Sequence, residues 1–97
     1  MKKIFVVYGH YDDASFNAAI KKKFIETAKE RGHEVDCVDL YKEQFDPIFS
    51  GEQPDAIVTD HQKRIEKSDT IVLIAPIWNF RMPAIMEGWI DKVLAPP

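Results

Sequence analysis

The sequence of residues 70–92 predicts a strand, a loop and a helix in direct succession. Residues 70–75 form an almost unbroken apolar run rich in β-branched side chains, which is typical of a parallel strand covered on both faces. Pro76 cannot donate to a strand ladder, so the strand should end there. Pro83 suits the first turn of a helix, where its missing N–H loses no partner. The loop between the prolines therefore leaves the sheet at the carboxyl end of a strand, where open α/β sheets bind ligands.

A strand and a helix also open the chain. Residues 4–8 are a continuous apolar run, and Ser15 is a good N-cap for a helix from Phe16 to about Arg31, which Gly32 should end. We expect one stripe of this helix to face the sheet, and it consists of Phe16, Ala19, Ile20, Phe24, Ile25 and Ala28. The predicted solvent face carries Lys21, Lys22, Lys23, Lys29 and Glu30.

The middle of the chain repeats the alternation. Residues 34–40 predict a second strand, and Asp36 and Asp39 within it indicate an edge position. Residues 41–54 predict an irregular connection, because Pro47, Gly51 and Pro54 all break regular structure. A second, more polar helix is expected from residue 55 or 56 to residue 67, and a third from residue 83 to about residue 93.

The predicted element order is βαβαβα, which indicates a parallel, doubly wound α/β sheet in which strand one lies between strands two and three, in the order 2-1-3. This order puts strand three at an edge, although it is the most apolar strand, and long apolar edges promote aggregation. Either further strands or another chain should cover it. We favour the first explanation: residues 1–97 are the N-terminal portion of one larger domain, and strands four and five are missing.

Composition narrows the class of protein. The chain has 97 residues, of which 45% are hydrophobic and 30% charged, as in one small globular domain. It has no apolar run of the roughly 18–20 residues that a membrane-spanning helix needs. The net charge is -3 and the longest basic run is residues 21–23, so nucleic acid is not an expected partner. The single cysteine, Cys37, excludes an internal disulfide framework and is compatible with a reducing cytoplasm.

The histidines and tryptophans divide into different expected roles. His10, His33 and His61 show no metal-ligand spacing among themselves or with Cys37, so no metal site is predicted. His61 lies on a polar helix face and is expected at the surface. Trp89 fits the inner stripe of helix three and is expected in the core. Trp78 lies in a loop, where packing does not require a tryptophan.

The loop at residues 9–17 allows two interpretations. It follows strand one and opens a helix, so its N–H groups and the helix dipole form an anion site, to which His10, Ser15 and Asn17 add side-chain groups. Alternatively Ser15 only caps the helix, and His10 and Asn17 lie in solvent. The spacing leaves both open. The sequence has neither the P-loop motif nor a Gly-x-Gly-x-x-Gly after strand one.

Four segments carry a resemblance to a known family: His10 with residues 15–17, residues 76–80, residues 83–85 and residues 88–93. Together they resemble the flavodoxin-like NAD(P)H:quinone oxidoreductases. This group includes DT-diaphorase-type quinone reductases, modulator-of-drug-activity proteins and the ancillary oxidoreductases of potassium efflux systems. The pair Asn79-Phe80 is also similar to the FMN-dependent azoreductases.

The resemblance implies a flavodoxin-like fold and a cytoplasmic, homodimeric flavoprotein with FMN or FAD as cofactor and NAD(P)H as co-substrate. It implies a ping-pong cycle in which a hydride passes to flavin N5 and two electrons then pass to a quinone or similar small acceptor. The implied contacts to the flavin phosphate or pyrophosphate are His10, Ser15, Phe16 and Asn17. The implied lining of the isoalloxazine ring is Pro76, Ile77, Trp78, Asn79 and Phe80. No catalytic residue is implied.

Two other functions compete with this enzyme. One is a non-enzymatic member, either a flavodoxin-like electron carrier or a regulatory partner of a transporter. Carriers of that type normally have a Thr/Ser-rich loop after strand one, whereas this loop has His10, Asp12 and Asp13, which disfavours a carrier. A regulatory partner would keep the same motifs. The other is an inactive, truncated fragment that pairs or aggregates through the edge of strand three.

Overall fold

The computed structural model describes residues 1–48 and 55–94 and contains three strands and three helices. The elements are β1 (Lys3–Tyr8), α1 (Phe16–Glu30), β2 (Glu34–Asp39), α2 (Ala56–Glu66), β3 (Thr70–Ile74) and α3 (Ala84–Val93). All strand pairs are parallel and the sheet order is β2-β1-β3, so the predicted α/β architecture is confirmed. The predicted breakers Gly51 and Pro54 and the last three residues lie outside the described residues.

β1 is the centre of the domain, and successive side chains along it enter two different cores. Phe5 and Val7 pack into a cluster that α2 and α3 complete, with Trp89 as its largest member. Val6 and Tyr8 point to the opposite face and pack under α1. Residues 5–8 are all fully buried, because helices cover both faces of the central strand.

β3 occupies the edge of the sheet, as its position in the order 2-1-3 requires. It pairs with β1 from Thr70 to Ile74. The prediction that this strand is covered on both faces holds only in part: Ile71 packs against one core, Val72 and Ile74 pack in the other, and Leu73 is exposed. The physical reason is its position, since an edge strand has a neighbour on one side only.

α1 begins and ends where the sequence predicts, but only part of the predicted stripe faces the sheet. Ser15 accepts a hydrogen bond from the Ala18 N–H at 3.1 Å, and Gly32 follows the helix with φ of 81°. Phe24 and Ala28 pack under the sheet as predicted, and Ala18 and Lys21 join them. The prediction is wrong for Phe16, which is 80% exposed, and for Ala19 and Ile20, which are also exposed. Small alanines let the helix approach closely, and the Lys21 ammonium lies over the Tyr8 ring.

His61 contradicts its predicted surface position, because it is fully buried. Its Nε2 lies 2.9 Å from Glu43 Oε1, and its Nδ1 accepts a hydrogen bond from Trp89 Nε1–H at 3.0 Å. Phe5 and Phe45 enclose the ring at 5.9 and 6.3 Å between centroids. A buried imidazole is tolerated here because both ring nitrogens have partners. The predicted core position of Trp89 is confirmed.

Within the described ranges, no helix is both long and apolar enough to span a bilayer. The three helices are 15, 11 and 10 residues long.

Candidate functional site

The loop from β1 to α1 is held by its own side chains. Its first residue, Gly9, donates a backbone hydrogen bond to the Ile74 carbonyl at 2.9 Å, which joins the loop to the end of β3. Asp12 N–H donates to His10 Nδ1 at 2.9 Å, and Asp12 Oδ1 accepts from Ala14 N–H at 2.9 Å. Because a backbone N–H can only donate, His10 Nδ1 is the acceptor, and the neutral ring carries its proton on Nε2. His10 therefore keeps one donor for a ligand.

The N-terminus of α1 follows directly. Ala18 N–H is occupied by Ser15 Oγ, whereas helix geometry gives the N–H groups of Phe16 and Asn17 no partner inside the helix. These two donors sit at the positive end of the helix dipole, which favours an anion. The Phe16 side chain points into solvent and has no aromatic neighbour among the described residues, while Asn17 is half-buried.

One carboxylate beside this N-terminus is paired with a cation. The Lys42 ammonium donates to Asp13 across 3.0 Å, and this hydrogen bond lowers the pKa of the Asp13 carboxyl and raises the pKa of Lys42. The negative charge of Asp13, two residues before the cap of α1, is therefore offset.

The loop from β3 to α3 contains a tight, strained turn. Trp78 and Arg81 exchange two backbone hydrogen bonds, at 2.7 and 3.1 Å, and enclose Asn79 and Phe80 with φ of 51° and 66°. Positive φ at both central residues is the geometry of a type I′ turn, which favours Asn and Gly. A bulky phenylalanine there is unusual, and its side chain is completely exposed. Strained residues of this kind cluster at ligand sites.

The two loops meet through aromatic rings. The His10 ring stacks on Tyr11 with centroids 4.7 Å apart, and it lies 6.1 Å from Trp78. Tyr11 lies 6.4 Å from Trp78 and 6.3 Å from Tyr41. We call His10, Tyr11, Tyr41 and Trp78 the aromatic cluster; it gathers residues that follow all three strands. Sequence reasoning missed Tyr11 and Tyr41, although each comes two or three residues after the end of a strand.

The remaining predicted ring-lining residues lie on the same loop. Pro76 is half-buried, whereas Ile77, Trp78, Asn79 and Phe80 are exposed. The structure therefore brings His10, the cap of α1 and the 76–80 loop to one edge of the sheet. It leaves the side chain of Phe16 outside this group, pointing away.

A groove of about 520 Å³ adjoins the turn. Its lining includes Trp78, Arg81, residues of α3, and Pro47. Gly88 makes this arrangement possible, because a Cβ there would lie 2.2 Å from the Pro47 carbonyl oxygen. Sequence reasoning did not find the groove; a glycine in the middle of a helix was the available signal.

Among the described residues, the other chemistry-bearing side chains form no second centre. Burial raises the pKa of the Cys37 thiol, so it is a poor nucleophile at neutral pH. Across residues 1–48 and 55–94, no three His, Cys, Asp or Glu side chains are grouped so that they could hold a metal ion.

The chain is similar to several known proteins. Ribosyldihydronicotinamide dehydrogenase (quinone) of Mus musculus is 29% identical over 96% of this chain and 51% of its own length. NAD(P)H dehydrogenase (quinone) 1 of Rattus norvegicus is 29% identical over 97% of this chain and 43% of its own. The solved NAD(P)H:quinone oxidoreductase from Methanothermobacter marburgensis superimposes with a TM-score of 0.88, at 26% identity over 95% of this chain and 53% of that one.

The chain thus spans about half the length of the curated relatives it matches. A family model described as flavodoxin-like fold matches residues 2–97, which include both loops of the site. The chain belongs to this flavodoxin-like family.

Proposed function

We propose that this chain forms the N-terminal part of a flavin-dependent NAD(P)H:quinone oxidoreductase. The observation that carries the proposal is the contact of His10 with Trp78, which puts an aromatic loop and a helix N-terminus side by side. The similar proteins are named as quinone dehydrogenases and a quinone oxidoreductase, which supports the same activity.

The residues of the site fit a flavin. A flavin joins a flat, largely apolar ring system to an anionic phosphate, so it needs a stacking surface next to an anion site. The aromatic cluster supplies the surface, and the N–H groups of Phe16 and Asn17 with the His10 Nε2 donor supply the anion site. We propose that His10, Ser15, Phe16 and Asn17 hold the phosphate end. Pro76, Ile77, Trp78, Asn79 and Phe80 then line the ring.

A bound flavin would supply two-electron redox chemistry between NAD(P)H and a quinone-like acceptor. The residues of this chain would bind and orient it. Trp78 and Phe80 would exclude water from the ring, and the backbone N–H groups of Ile77, Asn79 and Phe80 would stabilise negative charge there, since the Trp78 N–H is bonded to the Arg81 carbonyl. No side chain of the described residues is assigned a proton-transfer role.

The finer assignments follow from the same family resemblance. Either FMN or FAD fits the site, with NADH or NADPH as donor and a quinone-like small molecule as acceptor. We propose a homodimer, because the exposed Ile48, Ile77 and Phe80 place a large apolar surface around the site. We also propose a cytoplasmic location, which suits the free thiol of Cys37.

A flavin titration tests the proposal directly. Purified protein mixed with FMN or FAD is expected to quench flavin fluorescence and shift the visible flavin absorbance, because the ring enters an aromatic environment. The loaded protein should then oxidise NAD(P)H once per bound flavin without a quinone, and continuously when a quinone is present. A protein that binds neither FMN nor FAD would overturn the proposal.

A further inference from the structure

The hydroxyl of Tyr8, at the end of β1, joins three parts of the anion site. Tyr8 is fully buried, and its hydroxyl oxygen lies 3.2 Å from the Asp12 carbonyl and 3.2 Å from Ser15 Oγ. Ser15 Oγ in turn accepts from Ala18 N–H at 3.1 Å. The end of the strand, the middle of the loop and the cap of the helix are therefore connected through one side chain.

The chemistry of the groups fixes the direction of these hydrogen bonds. A carbonyl oxygen only accepts, so the single proton of Tyr8 is donated to Asp12. The Tyr8 oxygen must then accept from Ser15, whose hydroxyl proton is thereby used. The chain of bonds runs from Ala18 N–H through Ser15 and Tyr8 to the Asp12 carbonyl. In this arrangement Ser15 has no proton left to donate to a ligand.

Other contacts hold the two ends of the chain in place. The Lys21 ammonium lies 4.2 Å from the centroid of the Tyr8 ring, so a cation–π contact ties the ring to α1. Asp12 is fixed by its N–H bond to His10 and by its carboxylate bond to Ala14. The Asp12 carbonyl that accepts the hydrogen bond from Tyr8 is therefore held in place on both sides.

We infer that Tyr8 is a positioning residue: it holds the β1–α1 loop in the conformation that leaves the Phe16 and Asn17 N–H groups free for an anion. Ser15 acts through this loop and does not donate to the phosphate itself, which refines its expected role. The inference rests on the proposed function, since the anion is taken to be the phosphate end of a flavin. None of the four motif segments contains Tyr8.

The variant Tyr8→Phe tests the inference, because it removes only the hydroxyl and keeps the buried ring. FMN and riboflavin share the isoalloxazine ring, but only FMN carries the phosphate. We expect the dissociation constant of FMN to rise about five- to tenfold, the factor that one hydrogen bond contributes, while that of riboflavin stays the same. An unchanged FMN constant, or equal losses for both ligands, would overturn the inference.

Ser68→Ala is the matched control, because its hydroxyl also donates to a backbone carbonyl, that of Arg64, at 2.9 Å. Ser68 lies just before β3, at the end of the sheet opposite both loops. Its substitution should leave both dissociation constants unchanged. A second readout needs no flavin. In the ligand-free protein, Tyr8→Phe should speed amide hydrogen exchange at Ala14 and Ala18, and Ser68→Ala should not.

These readouts separate the two proposals. A wild-type chain that binds neither FMN nor riboflavin overturns the flavin function, and the exchange rates at Ala14 and Ala18 then decide the positioning role of Tyr8. Unchanged exchange in Tyr8→Phe overturns that role whether or not flavin binds.

Discussion

The two loops of the site are built on opposite principles. In the β1–α1 loop, His10, Asp12 and Ser15 all bond to groups within the loop, and Tyr8 anchors it from below. In the β3–α3 loop, backbone hydrogen bonds between Trp78 and Arg81 close a two-residue turn, and Ile77 and Phe80 are exposed. One loop is fixed by side-chain hydrogen bonds, and the other is closed by backbone hydrogen bonds and leaves apolar side chains exposed.

This difference matches two kinds of recognition. An anion needs donors at set positions, which a hydrogen-bonded loop provides without rearrangement on binding. A flat ring needs apolar surface, and an exposed tryptophan and phenylalanine provide it at the expense of solubility. The contrast predicts that changes in the first loop affect phosphate binding selectively, whereas changes in the second affect every ligand that carries the ring.

The largest expected effect concerns α3, which carries the second loop. In Gly88→Ala the new Cβ would lie 2.2 Å from the Pro47 carbonyl oxygen and 2.5 Å from Pro47 Cα. Because both are backbone atoms, we expect the free energy of unfolding to fall by about 3 kcal/mol in chemical denaturation. Gly32→Ala is the control: its φ of 81° is unfavourable but its surroundings are open, so about 1 kcal/mol is expected. Equal losses in the two variants would contradict the close contact.

Trp78→Ala tests the ring surface. We expect it to weaken the binding of FMN and of riboflavin equally, by about 2 kcal/mol or roughly thirtyfold, because an aromatic anchor is lost and the phosphate site is intact. Fluorescence titration measures both ligands. Ile20→Ala is a matched control, since Ile20 and Trp78 are 41% and 42% exposed, and it should change neither constant. A loss of affinity for FMN but not for riboflavin would show that Trp78 contributes to phosphate binding, which would contradict the contrast between the loops.

Phe80→Gly separates stability from function in the strained turn. Glycine adopts positive φ without strain, so we expect the free energy of unfolding to rise by about 1 kcal/mol while flavin affinity falls. Thermal unfolding and the same titration give the two values. Phe16→Ala, which shortens another exposed phenylalanine at ordinary helical geometry, should change stability by less than about 0.5 kcal/mol. A destabilised Phe80→Gly would mean that the ring packs usefully in the folded chain.

The order of strands and helices could be predicted because local chemistry decides it. Pro76, Ser15 and Gly32 each carry a backbone constraint that acts within a few residues, and they place element ends to within one residue. The position of the 9–17 and 76–80 loops at one end of the sheet also follows, since neighbouring parallel strands have their carboxyl ends there.

What could not be predicted depends on partners far along the chain. His61 is buried because Glu43 and Trp89, 18 and 28 residues away in sequence, satisfy its two nitrogens. Lys21 faces the sheet because its ammonium makes a cation–π contact with the Tyr8 ring, whereas the polarity of lysine alone predicts a solvent-facing side chain. Phe16 is exposed, and Ala18, two residues further along α1, is buried instead. Pattern reasoning assigns a face by hydrophobicity and misses such pairings.

The smallest effect is expected from the ion pair of Arg64 with Asp36, which lies at the end of the sheet opposite both loops. It tests whether ligand binding by the loops is independent of that end of the sheet. Arg64 donates to both carboxylate oxygens of Asp36, and this hydrogen bonding holds the pKa of Asp36 below its ordinary value. The folded chain therefore binds that proton less tightly than the unfolded chain, so the pair stabilises above about pH 4 and loses this contribution as the pH falls.

Because the Asp36 side chain is 41% exposed, solvent screening limits the contribution to about 0.5 kcal/mol. Asp36→Asn should remove this part of the acid sensitivity, as measured by denaturant unfolding between pH 3 and pH 6 at roughly half-unit steps. Asp60→Asn keeps the two-bond contact of Arg64 with Asp36 and should retain it. Both variants should bind FMN and riboflavin like the wild type. A change in the ratio of the two constants would show that the opposite end of the sheet controls the β1–α1 loop, and the two ends would then have to be treated as one coupled unit.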